Sequence, residues 1–498
     1  MNKEEEKNFF QEQRHYSQDE IREMLGCSED KAIALIRRLK EFGVLKRVRK
    51  ENVDLQEIDN EDYSVAPVVS GDKISRYAFC FVGALWVNGF VIKCYPKYVK
   101  PEEEGLTGKF KEVLKVIKRY NYKKENVIHL QNDGFNGSSF NMLALMLYFL
   151  NDYYENGLYS NTQEIIQTNG TGEILWDKTI NETFAYIQNG RPLYMELKTR
   201  KRVNDETDFF ARLHQCILGI CSRMLDDQGL FSIFDDVSPV EFNSLELEDF
   251  GGEDYLCYKI ERELSVQFQT RKRLLLQSMY AFVKNERAVV TNEHFSMFGT
   301  ISYHRVWEDV CKDVLQDMLT HNVCSIQPLK DAWEKEKTGF GTSKADWDKV
   351  TLLDYIEKPK WNGVKKDTLI PDIVTVTNET FAIFDAKYYN VTLNEKEVYG
   401  QPGIESVTKQ YLYELAYQKL AEEKDKINAF IFPKELGAAT VCENAGRVRL
   451  NMLANQGLQD IHIIFVAPKK FYEAYLEGKK YLDDILKACK VFNNNKKC

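Results

Sequence analysis

Residues 369–390 have the sequence LIPDIVTVTNETFAIFDAKYYN, which combines apolar runs with charged residues at unusual positions. Two apolar runs flank the polar turn TNET, and this pattern predicts a β-hairpin. Asp372 lies at the start of the first predicted strand, and Asp385 and Lys387 lie near the end of the second. Charged side chains are rarely placed in apolar strands, so these three positions require an explanation.

The hairpin brings its charged residues to one end. Side chains two apart on a strand share a face, so Asp385 and Lys387 are predicted to point together, with Ala386 inward on the other side. Asp372 converges on them across the turn. Two carboxylates with a main-chain carbonyl form an all-oxygen ligand set that suits Mg²⁺, with Mn²⁺ as an alternative. Surface charges on an ordinary hairpin produce the same pattern by chance.

Such a site has the chemistry needed for phosphodiester hydrolysis. A bound Mg²⁺ polarises a phosphoryl oxygen and lowers the pKa of a bound water. Lys387 would orient that water or stabilise the charge of the pentavalent transition state.

The order Pro371-Asp372, spacer, Asp385-Ala386-Lys387 resembles the PD-(D/E)xK nuclease superfamily. Its members often carry a glutamate on an upstream helix and a Gln-x-x-Tyr-like helix downstream. Here Glu308 lies on an amphipathic helix predicted over 303–319, and Gln410 and Tyr413 lie on a helix predicted at about 406–423. The resemblance implies metal binding by Asp372, Asp385 and Glu308, and a catalytic set of Asp372, Asp385, Lys387, Glu308 and Gln410. The alternative for the helix residues is plain helix surface.

Residues 16–48 predict a helix, a turn, a second helix and a short strand, which is the order of a winged helix. Ser17 and Glu20 have the capping-box spacing. Residues 37–50 hold seven basic residues and one acidic residue, so we expect contact with DNA phosphates. The residues predicted to bind DNA are Arg37, Arg38, Lys46 and Arg47. The alternative is a small protein-interaction module with a solvated basic face.

The length of 498 residues suggests about three domains. We predict an α+β multidomain chain with a winged helix at 1–60, a strand-rich and helical docking region at 61–290, and a PD-(D/E)xK α/β nuclease domain at 291–498. Residues 51–63 read as an acidic linker. In the middle region, Asn88-Gly89 predicts a tight hairpin, and GEILWDKTI (172–180) predicts a strand.

The stretches YAFCFVGALWVNGFVIKCYPKY, GEILWDKTI, YHRVWEDVC and the hairpin, in this order, resemble the LlaJI-type restriction endonucleases, relatives of the McrC nuclease subunit. The likeness spans roughly residues 65–480. It implies a partner, a McrB-like AAA+ GTPase ring that recognises and translocates DNA. The chain lacks a GxxxxGK[ST] nucleotide-binding loop, which agrees with a separate motor. We expect the partner to dock on residues 65–100.

Composition narrows the possible classes. A net charge of −9 excludes a purely electrostatic nucleic-acid binder. Eleven scattered cysteines without a CxxC pair argue against a disulfide framework or zinc cluster and predict a reducing, cytoplasmic location. The N-terminus does not resemble a signal peptide. The most apolar run, MLALMLYFL (142–150), is about half the length of a membrane span, so it predicts a buried helix.

The leading hypothesis is a Mg²⁺-dependent endonuclease subunit that cuts double-stranded DNA in a McrBC-like restriction system for anti-phage defence. Two alternatives remain open. One is a non-catalytic DNA-binding or assembly subunit with a decayed nuclease fold. The other is a nuclease for RNA or for branched DNA in repair, because the metal chemistry would be the same.

Overall fold

The chain forms a mixed α+β structure with several sheets. A computed structural model describes residues 8–48, 76–100, 105–123, 142–204, 208–227, 229–234, 237–242, 245–290, 295–337, 344–356, 360–361, 364–365, 369–393, 398–454 and 456–494. The predicted linker at 51–63 and the predicted domain boundary at residue 60 lie outside the described residues.

The helices are α1 Gln18–Leu25, α2 Glu29–Glu41, α3 Leu106–Lys123, α4 Met142–Asn156, α5 Trp176–Glu182, α6 Phe209–Asp227, α7 Glu253–Val266, α8 Thr270–Val290, α9 Tyr303–Val314, α10 Lys330–Glu336, α11 Ile404–Ala416, α12 Asn451–Ala454, α13 Pro468–Glu477 and α14 Leu482–Asn494. The strands are β1 Phe9–Gln11, β2 His15–Ser17, β3 Leu45–Val48, β4 Arg76–Phe79, β5 Val82–Val87, β6 Phe90–Tyr95, β7 Thr162–Thr168, β8 Glu173–Ile174, β9 Ala185–Gln188, β10 Arg191–Tyr194, β11 Lys198–Asn204, β12 Phe295–Thr300, β13 Lys360–Trp361, β14 Val364–Lys365, β15 Ile373–Val376, β16 Thr380–Ala386, β17 Thr392–Leu393, β18 Val398–Tyr399, β19 Asp425–Pro433, β20 Cys442–Val448 and β21 Ile461–Val466.

The N-terminal unit contains the predicted helices and strand. The capping box is confirmed, because the Ser17 hydroxyl accepts the Glu20 N–H at 3.1 Å and the Glu20 carboxylate accepts the Ser17 N–H at 2.6 Å. Helix α2 buries one apolar face, as its spacing predicts. The sheet of this unit has the order β2-β4-β3. Its central strand β4 therefore comes from beyond the predicted boundary at residue 60.

A second sheet joins this unit to the helices that follow. Its order is β1-β6-β5-β12, and β1 from the N-terminus pairs in parallel with β6. The predicted hairpin between β5 and β6 is confirmed, with Asn88 and Gly89 both at positive φ, 49° and 77°. Every residue of β5 is buried. Leu85 and Val87 face the core of the N-terminal unit, whereas Ala84 and Trp86 face the large helical core.

The middle region is mainly helical, with a small β-rich insertion that includes residues 166–195. Helices α4, α6, α7 and α8 bury their apolar faces in one core. The prediction of a strand at 172–180 is wrong for most of its length, because β8 has two residues and α5 follows. The buried Thr179 hydroxyl accepts the Lys198 N–H at 3.0 Å, and this bond holds α5 against β11.

The C-terminal sheet has the order β15-β16-β19-β21-β20. Strands β16, β19 and β21 are parallel, and β15 and β20 are antiparallel edge strands. Along β16, Ala382, Phe384 and Ala386 belong to the core that includes α9, α13 and α14, and Phe381 and Ile383 belong to the core that includes α11. The sheet is thus covered by helices on both faces.

Helix α9 ends earlier than its periodicity predicts. Val306, Val310, Val314 and Leu315 are all fully buried, so the predicted apolar face is confirmed. The helix stops at Val314 instead of continuing to 319. Gln316 adopts a left-handed conformation with φ 59°, and the Asp317 carboxylate accepts the N–H groups of Leu319 and Val374. Bonding to β15 therefore replaces the last predicted helical turn.

Two predictions from composition, about membrane spans and disulfides, can be compared with the described residues. Over these residues, no helix is both long enough and apolar enough to cross a membrane, and α4, the predicted buried helix, lies in the large core. None of the ten cysteines in the described part of the chain forms a disulfide.

Candidate active site

The hairpin brings Asp372 and Asp385 together at one end of the C-terminal sheet. Ile373 pairs with Phe384, so Asp372 stands opposite Asp385. The Ala386 N–H donates to the Asp372 carboxylate at 2.9 Å. Asp385 is buried, with 7% of its surface exposed. Strand register therefore places two carboxylates in contact, as the sequence predicts.

The pairing of these acids changes the proton affinity of Asp372. Burial raises the pKa of the Asp372 carboxyl well above its usual range, and the charge of Asp385 and a hydrogen bond between the two carboxyls raise it further. The charge of Glu308 acts in the same direction, and only Lys387 opposes it. In the absence of a cation, a proton on Asp372 relieves the repulsion.

Lys387 supplies the positive charge of the site. Its Nζ lies 3.1 Å from Asp385 Oδ2. Its main-chain N–H donates to the Ile431 carbonyl at 2.9 Å. Burial alone would lower the pKa of Lys387, but the attraction of Asp385 and Asp372 outweighs burial and the pKa is raised. The side chain is therefore an ammonium ion at neutral pH.

Helix α11 supports the hairpin through two buried side chains. Gln410 is fully buried, and its Nε2 donates to the Ile383 carbonyl at 3.3 Å. The Tyr413 hydroxyl donates to the Ile370 carbonyl at 3.0 Å. Burial, and then the charges of Asp385 and Asp372, raise the pKa of Tyr413. These residues are packed against the site, so the alternative of plain helix surface is wrong for both.

Glu308 lies beside the acidic pair without joining it. It forms an ion pair with Lys312, one turn later on α9, and 31% of its side chain is exposed. Across the described residues, no three His, Cys, Asp or Glu side chains are arranged to share one metal ion. The predicted three-carboxylate set is therefore not assembled. The i,i+4 spacing of Glu308 and Lys312 is a sequence signal for this ion pair.

The chemistry of the acidic pair nevertheless fits a hard divalent cation. Both carboxylates are oxygen donors, as Mg²⁺ and Mn²⁺ prefer. Their mutual repulsion, visible in the raised pKa of Asp372, is the kind of energy that a bound cation relieves. Asp372 and Asp385 would hold the ion, with Glu308 close by.

One group of neighbours was not found by sequence reasoning. Tyr388 directly follows Lys387, and its hydroxyl donates to the Glu12 carboxylate at 2.5 Å. The two residues are 376 positions apart, so no local pattern predicts the contact. The adjacent tyrosines of the sequence AKYYN indicate only that aromatic side chains end the strand.

The four basic residues predicted to bind DNA lie on α2 and β3. Arg37 and Arg47 are exposed, whereas Arg38 and Lys46 are half-buried. The Arg38 guanidinium lies 3.4 Å from Glu41 and 4.8 Å from the Phe42 ring centroid. These residues belong to the N-terminal unit, and the acidic pair belongs to the C-terminal sheet.

The chain is similar to known proteins over most of its length. The family described as LlaJI restriction endonuclease matches residues 81–335 and 330–469. The type II restriction enzyme BsuMI component YdjA of Bacillus subtilis (strain 168) is 28% identical over 443 residues, which are 86% of this chain and 86% of that protein. The family match includes the hairpin and both flanking helices, and it begins after the N-terminal unit.

Among solved structures, the half-complex from the tetradecameric assembly of Thermococcus gammatolerans McrB AAA+ hexamers with bound McrC is similar at a TM-score of 0.37. The identity is 14%, and the match covers 96% of this chain and 99% of that chain. This degree of similarity does not align individual elements.

The raised pKa of Asp372 predicts a cost in stability. A carboxyl whose pKa is higher in the folded state binds its proton more tightly when folded. The free energy of unfolding is therefore largest below the ordinary carboxyl pKa, and it falls as the pH rises through the raised pKa of Asp372. Asp372→Asn keeps an acceptor for the Ala386 N–H and removes the charge. We expect it to stabilise the metal-free protein by about 0.5–2 kcal/mol at pH 8, and less at pH 5.

Thermal unfolding in a chelator at both pH values measures this difference. Glu443→Gln, an exposed residue of β20 in the same sheet, is the control and should show no such pH-dependent gain. An unchanged melting temperature of Asp372→Asn at pH 8 would contradict the electrostatic account.

Proposed function

The chain belongs to the LlaJI restriction endonuclease family, and from this membership we propose that it is the DNA-cutting subunit of a McrBC-like restriction system, with a metal-dependent PD-(D/E)xK site. The observation that carries the proposal is the contact of the half-buried Asp372 with the buried Asp385, beside the Lys387 ammonium group. Structural carboxylates are rarely buried against each other, because the repulsion is costly, whereas cation-assisted hydrolysis requires them.

The residues of the site would divide the work as follows. Asp372 and Asp385 would hold Mg²⁺ or Mn²⁺, with Glu308 beside them, and such an ion would polarise the scissile phosphate and acidify a water. Both aspartates would be ionised as ligands. Lys387 stays protonated and stabilises negative charge that develops on the phosphate. Gln410 and Tyr413 hold the hairpin by its main-chain carbonyls.

The order of elements supports a PD-(D/E)xK domain at 291–498. Helix α9 with Glu308 precedes the β15–β16 hairpin, and α11 with Gln410 follows it. Both helices pack against β16, one on each face of the sheet. This arrangement brings residues from three separate elements to one strand end.

We assign a winged-helix role to the N-terminal unit. Its two helices, three-stranded sheet and exposed Arg37 and Arg47 suit contact with DNA phosphates. The family match begins at residue 81, after this unit. The unit would add affinity for DNA to a protein whose net charge is −9.

The proposed partner is an AAA+ GTPase. The chain has no GxxxxGK[ST] loop of its own, and its acidic net charge gives weak attraction to DNA. The Bacillus relative is itself named as a component of a type II restriction enzyme. A nucleotide-driven ring that delivers DNA would meet both needs.

We propose a docking surface for the partner other than residues 65–100. Residues 76–95 form β4, β5 and β6, which are mostly buried between two cores, so they offer little surface. Large apolar side chains are instead exposed on the insertion at 166–195. Phe184 is 89% exposed and Ile187 72% exposed, and Trp176, Ile180, Tyr186, Leu193 and Met195 of the same insertion are exposed as well. Exposed apolar side chains in this number indicate an interaction site, and we propose that the partner docks on this insertion.

Removal of one carboxylate tests the catalytic assignment. Asp385→Ala is expected to lower Mg²⁺-dependent DNA cleavage by at least about a hundredfold and to weaken Mn²⁺ binding measured by calorimetry. Its fold and partner binding should persist, because the substitution removes charge repulsion. Glu443→Gln is the matched control and should cut like the parent. Parental cleavage by Asp385→Ala would favour a non-catalytic DNA-binding or assembly subunit.

Removal of exposed arginines tests the N-terminal unit. We expect Arg37→Ala together with Arg47→Ala to lower DNA affinity at low salt and to reduce the salt slope by about one for each lost phosphate contact. Fluorescence anisotropy across a salt series measures both quantities. Lys335→Ala, an exposed lysine on α10, is the control. Identical affinity and slope would indicate a protein-interaction module.

Reconstitution tests the partner. The purified chain with Mg²⁺ and DNA is expected to cut poorly, and addition of a McrB-like AAA+ GTPase and GTP is expected to produce strong cleavage and faster GTP hydrolysis. Phe184→Ser with Ile187→Ser should abolish the stimulation and leave Mn²⁺ binding unchanged. Efficient sequence-specific cleavage by the chain alone would make it a self-contained endonuclease.

A further inference from the structure

A buried polar cluster connects the first residues of the chain to the strand that carries the candidate catalytic residues. Glu12 lies between β1 and β2 and is 6% exposed. Its Oε2 accepts the Tyr388 hydroxyl at 2.5 Å and the Lys97 N–H at 3.3 Å. The Lys97 N–H also lies 3.2 Å from the Tyr388 hydroxyl. Three distant segments of the chain therefore meet at one side-chain contact.

The cluster places charges in a region from which water is largely excluded. Burial raises the pKa of Glu12, and Lys97 and Tyr388 only partly offset this. Burial also lowers the pKa of Lys97, whose Nζ lies 3.1 Å from Gln13 Oε1 and 4.7 Å from the Tyr388 ring centroid. Buried charged groups add little net stability compared with apolar packing. Their value here lies in the position that they impose on Tyr388.

Tyr388 is well placed to control Lys387. Strand β16 ends at Ala386, so Tyr388 is positioned by side-chain packing and hydrogen bonds instead of strand pairing. Lys387 is held by its N–H bond to Ile431, and Tyr388 by Glu12. The Tyr388 ring also packs on Tyr303, the first residue of α9, at 5.3 Å between centroids. A displacement of Tyr388 would move the main chain of its neighbour Lys387.

We propose that Glu12 is a positioning residue for the nuclease site, acting through Tyr388 on Lys387. The site would then be aligned only while Glu12, in the segment that joins β1 to β2, stays in contact with Tyr388 beyond the end of β16. Any event on the N-terminal unit that shifts this segment, DNA binding included, would be transmitted to Lys387. The inference rests on the proposed function for the role of Lys387, but the contact itself is tested independently of cleavage.

Hydrogen–deuterium exchange tests the contact of Glu12 with Tyr388 without cleavage, because the main-chain N–H groups of the nearby Ala386 and Lys387 are both hydrogen-bonded in the site. We expect Glu12→Ala and Tyr388→Phe to accelerate exchange in a peptide covering 386–391 by about tenfold or more. A peptide within β19 should keep its protection. Glu12→Gln keeps a carbonyl acceptor for the Tyr388 hydroxyl and should restore nearly parental exchange.

Tyr303→Phe is the matched control. It removes another buried tyrosine hydroxyl, one that donates to Tyr472 at 2.8 Å, and leaves the Glu12 contact intact. It should not accelerate exchange at 386–391. The double variant Glu12→Ala with Tyr388→Phe should be no more affected than the more affected single variant, because both remove one interaction.

Cleavage supplies the second readout. In the reconstituted system, Glu12→Ala and Tyr388→Phe are expected to lower kcat about tenfold or more with unchanged KM for DNA, and Glu12→Gln is expected to restore it. Unchanged exchange at 386–391 in both single variants would overturn the proposal, and so would acceleration spread equally over β19. The proposed function fails by a different result, which is parental cleavage by Asp385→Ala. The exchange experiment would still test the contact of Glu12 with Tyr388 in that case.

Discussion

The repulsion between Asp372 and Asp385 is the constraint on which the rest of the site depends. Antiparallel pairing of β15 with β16 leaves the two carboxylates no alternative to contact. Burial raises the pKa of Asp372, and the charges of the two carboxylates raise the pKa of Lys387 against the opposing effect of burial. The Ala386 N–H, which donates to Asp372, and the Lys387 ammonium group beside Asp385 offset part of the cost of keeping like charges together.

The elements around the hairpin hold the two carboxylates in place. A strained site keeps its geometry only when its support leaves no room for relaxation. Strand β16 lies between β15 and β19 in the sheet, is buried along its whole length and is covered by helices on both faces. Gln410 and Tyr413 hold main-chain carbonyls of the hairpin from α11. The position of the two acids is therefore set by backbone contacts rather than by flexible side chains.

The three regions of the chain are interleaved in space. Strand β1 belongs to the second sheet, β4 completes the N-terminal sheet, and Glu12 reaches the end of β16. A change in one region therefore has a physical route to the nuclease site. By contrast, the insertion at 166–195 exposes its apolar side chains and stands apart from these cores, which suits a role in contact with another protein.

The sequence by itself determined the features that arise from local periodicity and turn chemistry. The capping box at Ser17, the hairpin at Asn88-Gly89 and the shared face of Asp385 and Lys387 follow from spacings of a few residues. Tertiary packing alone fixed where α9 ends, that Glu12 meets Tyr388, and that Glu308 does not complete a three-carboxylate set among the described residues. The physical reason is that backbone geometry acts between near neighbours, whereas burial and hydrogen bonding between distant segments depend on how the sheets and helices pack.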